Sequence, residues 1–104
     1  MSISAYRNTM TEKALMETIQ AAAKALGYLV YHPYDSRRSE PGWPDLFLVR
    51  NGAILVYETK TATGRVRPAQ LDWLEELQHG RVLSARIVRP ADLDDVLEEL
   101  REAS

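Results

Sequence analysis

Gly42 to Lys60 reads GWPDLFLVRNGAILVYETK, and the pair of residues at its centre sets the reading of the chain. Two apolar runs, Leu46 to Val49 and Ala53 to Tyr57, flank Asn51-Gly52. Asn-Gly between apolar runs is the strongest short-range signal for a β-hairpin with a two-residue turn. With that turn, Arg50 faces Ala53, Val49 faces Ile54, Phe47 faces Val56 and Asp45 faces Glu58. Directly opposed Cβ atoms lie roughly 4.5–5.5 Å apart, so two carboxylates stand side by side at the end of an apolar hairpin. Lys60 lies two residues beyond Glu58 and points to the same face. Both faces of the hairpin are apolar, which predicts a central position buried on both sides.

On the N-terminal side, residues 1–8 show no period and are expected to be loosely held. Leu15, Met16, Ile19, Ala22, Ala23 and Leu26 recur at helical spacing, and Gly27 is a stop, which predicts a helix from Thr9 to Leu26. Glu12 falls on its apolar side. Tyr28 to Tyr31 reads as a short strand closed by Pro33. His32 to Pro44 is a long, proline-rich loop carrying Arg37 and Arg38, and a loop of that length is a candidate functional loop. On the C-terminal side, Thr61 to Arg67 is a polar, basic connection containing Arg65 and Arg67. Pro68 opens a helix carrying Leu71, Trp73, Leu74 and Leu77, which ends near His79-Gly80. Val82 to Val88 reads as a strand, and Asp92 is placed to cap a last helix running to about Glu102. The order α-β-β-β-α-β-α predicts one domain over residues 1–104, with its core at about 11–100: an α/β sandwich around a mixed sheet.

The chain has 104 residues, 45% hydrophobic and 27% charged, as expected of a globular domain. With no cysteine, a disulfide framework, a zinc–thiolate site and a cysteine nucleophile are excluded. No apolar run approaches the roughly 18 residues of a spanning helix, so a cytoplasmic protein is the default expectation. The net charge of −2 is unevenly spread. Residues 92–104 hold six acids and one base, whereas residues 1–91 hold twelve bases and nine acids. A local basic surface suited to nucleic acid is therefore compatible with an acidic total.

Opposed Asp45 and Glu58 repel unless a proton or a cation sits between them. Carboxylates are the hard ligands that Mg²⁺ or Mn²⁺ prefers, and Lys60 on the same face can stabilise charge on a phosphoryl group. A third acid, Glu12, reaches the site if the first helix packs on that face. These groups suit metal-assisted phosphodiester hydrolysis.

Pro44-Asp45, twelve intervening residues and Glu58-Thr59-Lys60 resemble the PD-(D/E)XK nuclease pattern. The longer string resembles one branch of it, the virus-type replication-repair nuclease (VRR-NUC) domain. Thr11-Glu12, Gly42-Trp43-Pro44-Asp45-Leu46, Glu58-Thr59-Lys60, Gln70 with Leu71, Trp73 and Leu74, and Gly80 carry the likeness. The resemblance implies a restriction-endonuclease-like fold and metal-dependent endonuclease activity on structured DNA. It also implies a homodimer like the Holliday-junction resolvases of phages and bacteria. Asp45 and Glu58 would be metal ligands, with the Thr59 carbonyl a third contact. Lys60 would be the catalytic lysine, Glu12 the helix-borne acid and Gln70 the glutamine near the site.

Plainer readings stand beside these. Asp45 and Glu58 could be an acid near a turn and an exposed strand end, and Lys60 a simple salt-bridge partner. Thr9-Met10-Thr11-Glu12 fits a capping box with Glu12 as the third helical residue. Gln70 fits a surface residue. Arg37, Arg38, Arg65 and Arg67 are inferred DNA-phosphate contacts, with solvated loops as the ordinary alternative. His32 and His79 lack ligand spacing and read as ordinary. Trp73 reads as core, while Trp43, opposite Lys60 in the register, walls the site. Two further functions compete with a nuclease: a non-cleaving DNA-binding module on the same fold, and a protein-interaction domain working through its acidic last helix.

Overall fold

The computed structural model describes residues 9–33 and 40–103; Arg37 and Arg38 lie outside them, as does the start of the chain. The described residues form α1 (Glu12–Ala25), β1 (Leu29–Tyr31), β2 (Leu46–Arg50), β3 (Ala53–Thr59), α2 (Pro68–Gln78), β4 (Ser84–Val88), a 3₁₀ turn (Pro90–Asp92) and α3 (Leu93–Glu102). The order matches the sequence expectation. One mixed sheet runs β1-β2-β3-β4, with β1, β2 and β3 antiparallel in turn and β4 parallel to β3.

The Asn-Gly turn forms as expected. Asn51 and Gly52 both have positive φ, 50° and 81°, the pattern of a tight hairpin turn. The register that follows is Leu46↔Tyr57, Phe47↔Val56, Leu48↔Leu55, Val49↔Ile54 and Arg50↔Ala53. Both hairpin strands are interior to the sheet. Alternation then sorts their side chains. Leu46, Leu48, Leu55 and Tyr57 enter a core with Leu15, Ile19 and Ala23 of α1 and Val96 and Leu100 of α3. Val56 packs the other way, against Leu74 of α2 and Ala85, with Phe47, Ile54 and Ile87 around them. Helices α1 and α3 thus cover one face and α2 covers the other. Each fully buried leucine of the first core contributes roughly 1.5–3 kcal/mol by leaving water.

Two caps differ from expectation. The side chain of Thr11, not Thr9, accepts the hydrogen bond from Ala14 N at 3.0 Å, so α1 starts at Glu12. Glu12 is then the first helical residue rather than the third, and a capping box with Thr9 does not form. Asp92 stands at the start of α3 but makes no cap there. Its carboxylate turns back to accept from Arg89 N at 2.9 Å and to pair with Arg86 at 3.3 Å. Arg89 N, at the start of the Pro90–Asp92 3₁₀ turn, claims the carboxylate in a capping box, so Asp92 does not cap α3.

Arg50 ties the two helices of the first layer together. Its guanidinium donates to Leu26 O at the end of α1 and to Leu100 O and Ala103 O at the end of α3. The guanidinium carbon also lies 4.5 Å from the Tyr28 ring centroid. A permanent cation here complements the partial negative charge of both helix C-termini.

Candidate active site

The paired register runs as far as Leu46↔Tyr57; Asp45, just before β2, comes beside Glu58 of β3 on the face covered by α2. Glu58 is 3% exposed, and its pKa is pushed up to about 9. Burial is the main cause, followed by a hydrogen bond with Asp45 and the Asp45 charge; Lys60 acts in the opposite direction, and the Glu12 charge adds to the rise. Burial beside Asp45 thus favours the protonated form of Glu58 when no cation is near.

Each acid is oriented by a neighbour. Thr59 donates to Asp45 Oδ2 twice, from its backbone N at 3.0 Å and its hydroxyl at 2.7 Å. Gln70, in the first turn of α2, accepts from Arg67 N through Oε1 at 2.8 Å and donates through Nε2 to Glu58 Oε1 at 3.2 Å. Because the helix start claims the amide oxygen, the amide nitrogen is left to meet Glu58. Capping and site contact are thus one arrangement, reached although Arg67 is no ordinary N-cap residue.

The Glu40–Trp43 turn shapes the wall. Trp43 N donates to Glu40 O at 3.0 Å, and Gly42 has φ +85°. A Cβ on Gly42 would lie 2.5 Å from the backbone of Ala69, so only glycine lets this turn sit against the start of α2. Trp43 packs edge-on against Trp73 at 4.9 Å between ring centroids, and Trp73 Nε1 donates to Pro41 O at 3.1 Å. Trp73 is therefore a brace for the turn that leads into Asp45. The core expectation for it was wrong because α2 turns only Leu74 fully inward; Leu71 is 50% exposed.

Lys60 is buried, and its backbone N bonds Val88 O at 2.9 Å. Glu12 reaches it from an unexpected side. Helix α1 packs on the face opposite Asp45 and Glu58, yet its first residue, Glu12, lines the same cleft as the two acids. Glu12 reaches past the end of the sheet, placing Oε1 3.9 Å from Lys60 Nζ. Arg65 and Arg67 are exposed and line an open cleft of about 1260 Å³ with Asp45, Glu58, Lys60 and Gln70.

His32 also lines this cleft, although its sequence spacing marked it as ordinary. Its Nδ1 lies 2.9 Å from Asp45 O; a carbonyl only accepts, so Nδ1 carries the proton. The signal was absent locally because β1 and β2 are joined by a long loop that sets no register. His79 lies at the end of α2, away from the site.

A family model described as the VRR-NUC domain matches residues 2–87. The chain belongs to the VRR-NUC family. One solved structure, described as "VRR_NUC domain", is similar at a TM-score of 0.67 and 24% identity, over 86% of this chain and 97% of that one. The search of curated proteins returned no match. VRR-NUC domains are of nuclease type, and the fold here is consistent with the restriction-endonuclease-like architecture. Asp45, Glu58, Lys60 and Gln70 fall within the matched segment, whereas Arg89 and α3 lie beyond it. Among the described residues no helix is long and apolar enough to cross a membrane.

Whether the site suits a divalent cation can be judged from its donors. Among the described residues, no three His, Cys, Asp or Glu side chains are grouped as a metal site. Asp45 and Glu58 nevertheless form a two-carboxylate pair whose mutual repulsion is relieved by a proton. A small hard cation relieves the same repulsion, and Mg²⁺ typically binds through one or two carboxylates while keeping several waters. The donor set fits.

Proposed function

We propose that this VRR-NUC domain is a Mg²⁺- or Mn²⁺-dependent endonuclease that hydrolyses DNA phosphodiester bonds, with branched DNA as its preferred substrate. The observation that carries the reading is half-buried Asp45 beside buried Glu58 and Lys60 in one open cleft. Asp45 and Glu58 would hold the cation, with the carbonyl of Thr59 as a third ligand. When bound, the cation would supply a Lewis acid for the phosphate.

The chain's own groups have separable tasks. Thr59 fixes Asp45, and Gln70 fixes Glu58. Lys60, largely shielded from water, holds a positive charge where negative charge develops on the phosphoryl oxygens. Hydrolysis joins a water oxygen to phosphorus and breaks the bond from phosphorus to the leaving sugar oxygen, and the Lys60 ammonium is also suited to orienting that water. Glu12, near Lys60, helps to place it and is a further candidate ligand. Arg65 and Arg67, with Arg37 and Arg38, contact phosphates without reading sequence. The acids of α3 lie on the opposite layer and disfavour DNA there.

Two strands of a junction need two sites, and one chain supplies one, which supports a homodimer. The exposed side chains of Leu29 and Tyr31, on edge strand β1, are suited to pairing two copies. Light scattering would read a dimer mass, shifted toward monomer by Leu29→Asp.

The test is incubation of purified protein with labelled four-way junction and linear duplex, with and without Mg²⁺ or Mn²⁺. Metal-dependent cleavage, faster on the junction and lost in Asp45→Ala and Lys60→Ala, is expected. Absence of cleavage by folded protein, or cleavage that survives Asp45→Ala, refutes the proposal; junction binding without turnover identifies a non-cleaving binding module instead.

A further inference from the structure

The turn after Lys60 closes around a group outside the site described above. Arg89, just past the end of β4, sends one guanidinium nitrogen to three carbonyls of this turn: Thr61 O at 2.8 Å, Gly64 O at 2.9 Å and Ala62 O at 3.4 Å. Gly64 N closes the turn onto Thr61 O at 3.2 Å. Arg89 is itself held in place. Its backbone N donates to Asp92, Pro90 follows it, and the preceding Val88 O accepts from Lys60 N.

We infer that Arg89 is a positioning residue, which fastens the Thr61–Gly64 turn so that Arg65 and Arg67 stand at the mouth of the cleft. Three carbonyls pointing at one place create an electronegative hollow, which without a resident cation would draw the turn open toward water. Arginine fills it permanently, because its guanidinium does not lose its charge in proteins and offers several fixed donors. At its other end the connection is tied by Arg67 N to Gln70, which also holds Glu58. The basic segment is thus anchored twice, once to the end of β4 and once to the acid pair. Arg89 uses its charge on the protein backbone, so its effect on DNA passes through Arg65 and Arg67. That last step rests on the nuclease reading; the anchoring of the turn does not.

The two parts have separate tests. Under native conditions trypsin can cut after Arg65, whereas Arg67 and Arg89 each precede a proline that blocks cleavage. Arg89→Met is expected to speed cleavage after Arg65 at least tenfold, and Arg89→Lys by less. Arg50→Met, which destabilises the distant helix layer, serves as the control for general loosening. Equal cleavage rates in Arg89→Met and Arg50→Met overturn the anchoring. For the second part, junction binding in EDTA is measured for Arg89→Met, for Arg65→Ala with Arg67→Ala, and for all three together. Arg89→Met alone should weaken binding severalfold, yet change affinity by less than twofold once both arginines are gone. Additive losses show that Arg89 does not act through them. If the wild type does not bind the junction while the trypsin result stands, the DNA reading fails and the anchored turn survives.

Discussion

Replacing Glu58 with glutamine tests whether Glu58 keeps a proton beside Asp45. The Glu58→Gln variant keeps the shape of a protonated carboxyl group. Its amide N–H can donate to Asp45, and its amide oxygen can accept from Gln70 as Glu58 does at 3.2 Å. What it loses is the ability to ionise. In the folded wild type the Glu58 pKa is raised from 4.5 to about 9. Between those values the folded state keeps a proton that the unfolded chain has released, so stability falls as pH rises. One proton of difference corresponds to ~1.4 kcal/mol per pH unit. From pH 5 to pH 8 the metal-free wild type should therefore lose up to ~4 kcal/mol relative to the variant, a large share of the 5–15 kcal/mol typical of a domain. Urea denaturation followed by circular dichroism in EDTA, at four pH values, measures this directly. The two proteins should be close in stability at pH 5 and diverge toward pH 8, with the variant the more stable. Excess Mg²⁺ should then restore stability to the wild type at pH 8 and do little for the variant. A difference that stays constant across the range would refute the raised pKa of Glu58 and, with it, the main argument for a cation site.

Gln70→Glu keeps an acceptor for Arg67 N but sets a third carboxylate against Glu58; the metal-free melting temperature should fall, and Mn²⁺ should recover more of it than in the wild type, as differential scanning fluorimetry would show. Gly42→Ala puts a Cβ 2.5 Å from the Ala69 backbone at a φ of +85°, so a loss of at least 1–2 kcal/mol in chemical denaturation is expected, together with loss of cleavage as Asp45 is displaced. Arg50→Met removes the donors to Leu26, Leu100 and Ala103 and should cost about 2–4 kcal/mol in denaturation, with the cleavage rate per folded molecule largely unchanged.

The pairing of Asp45 with Glu58 was legible in the sequence because it depends on a turn of two residues. Asn51 and Gly52 accept positive φ, the hairpin closes, and every pair back to Leu46↔Tyr57, next to the acids, follows by counting. The burial of β2 and β3 on both faces, the helical stripe of α1 and the start of α2 at Pro68 were legible for the same reason: each is written within a few neighbouring residues. Other parts of the site depend on how distant elements pack. His32 meets Asp45 through a register that a long loop leaves open. Glu12 reaches Lys60 from the far face of the sheet, around its end, and not from the face that carries the acids. Gln70 turns its nitrogen to Glu58 only because the start of α2 takes its oxygen. Arg89 finds three carbonyls because β4 runs parallel to β3 and ends beside the turn that follows Lys60. Local sequence determined which acids are neighbours, since backbone dihedrals and strand alternation act over a few residues. Tertiary structure decided what surrounds those acids, since burial, orientation and charge in the cleft come from groups brought together only when the layers close.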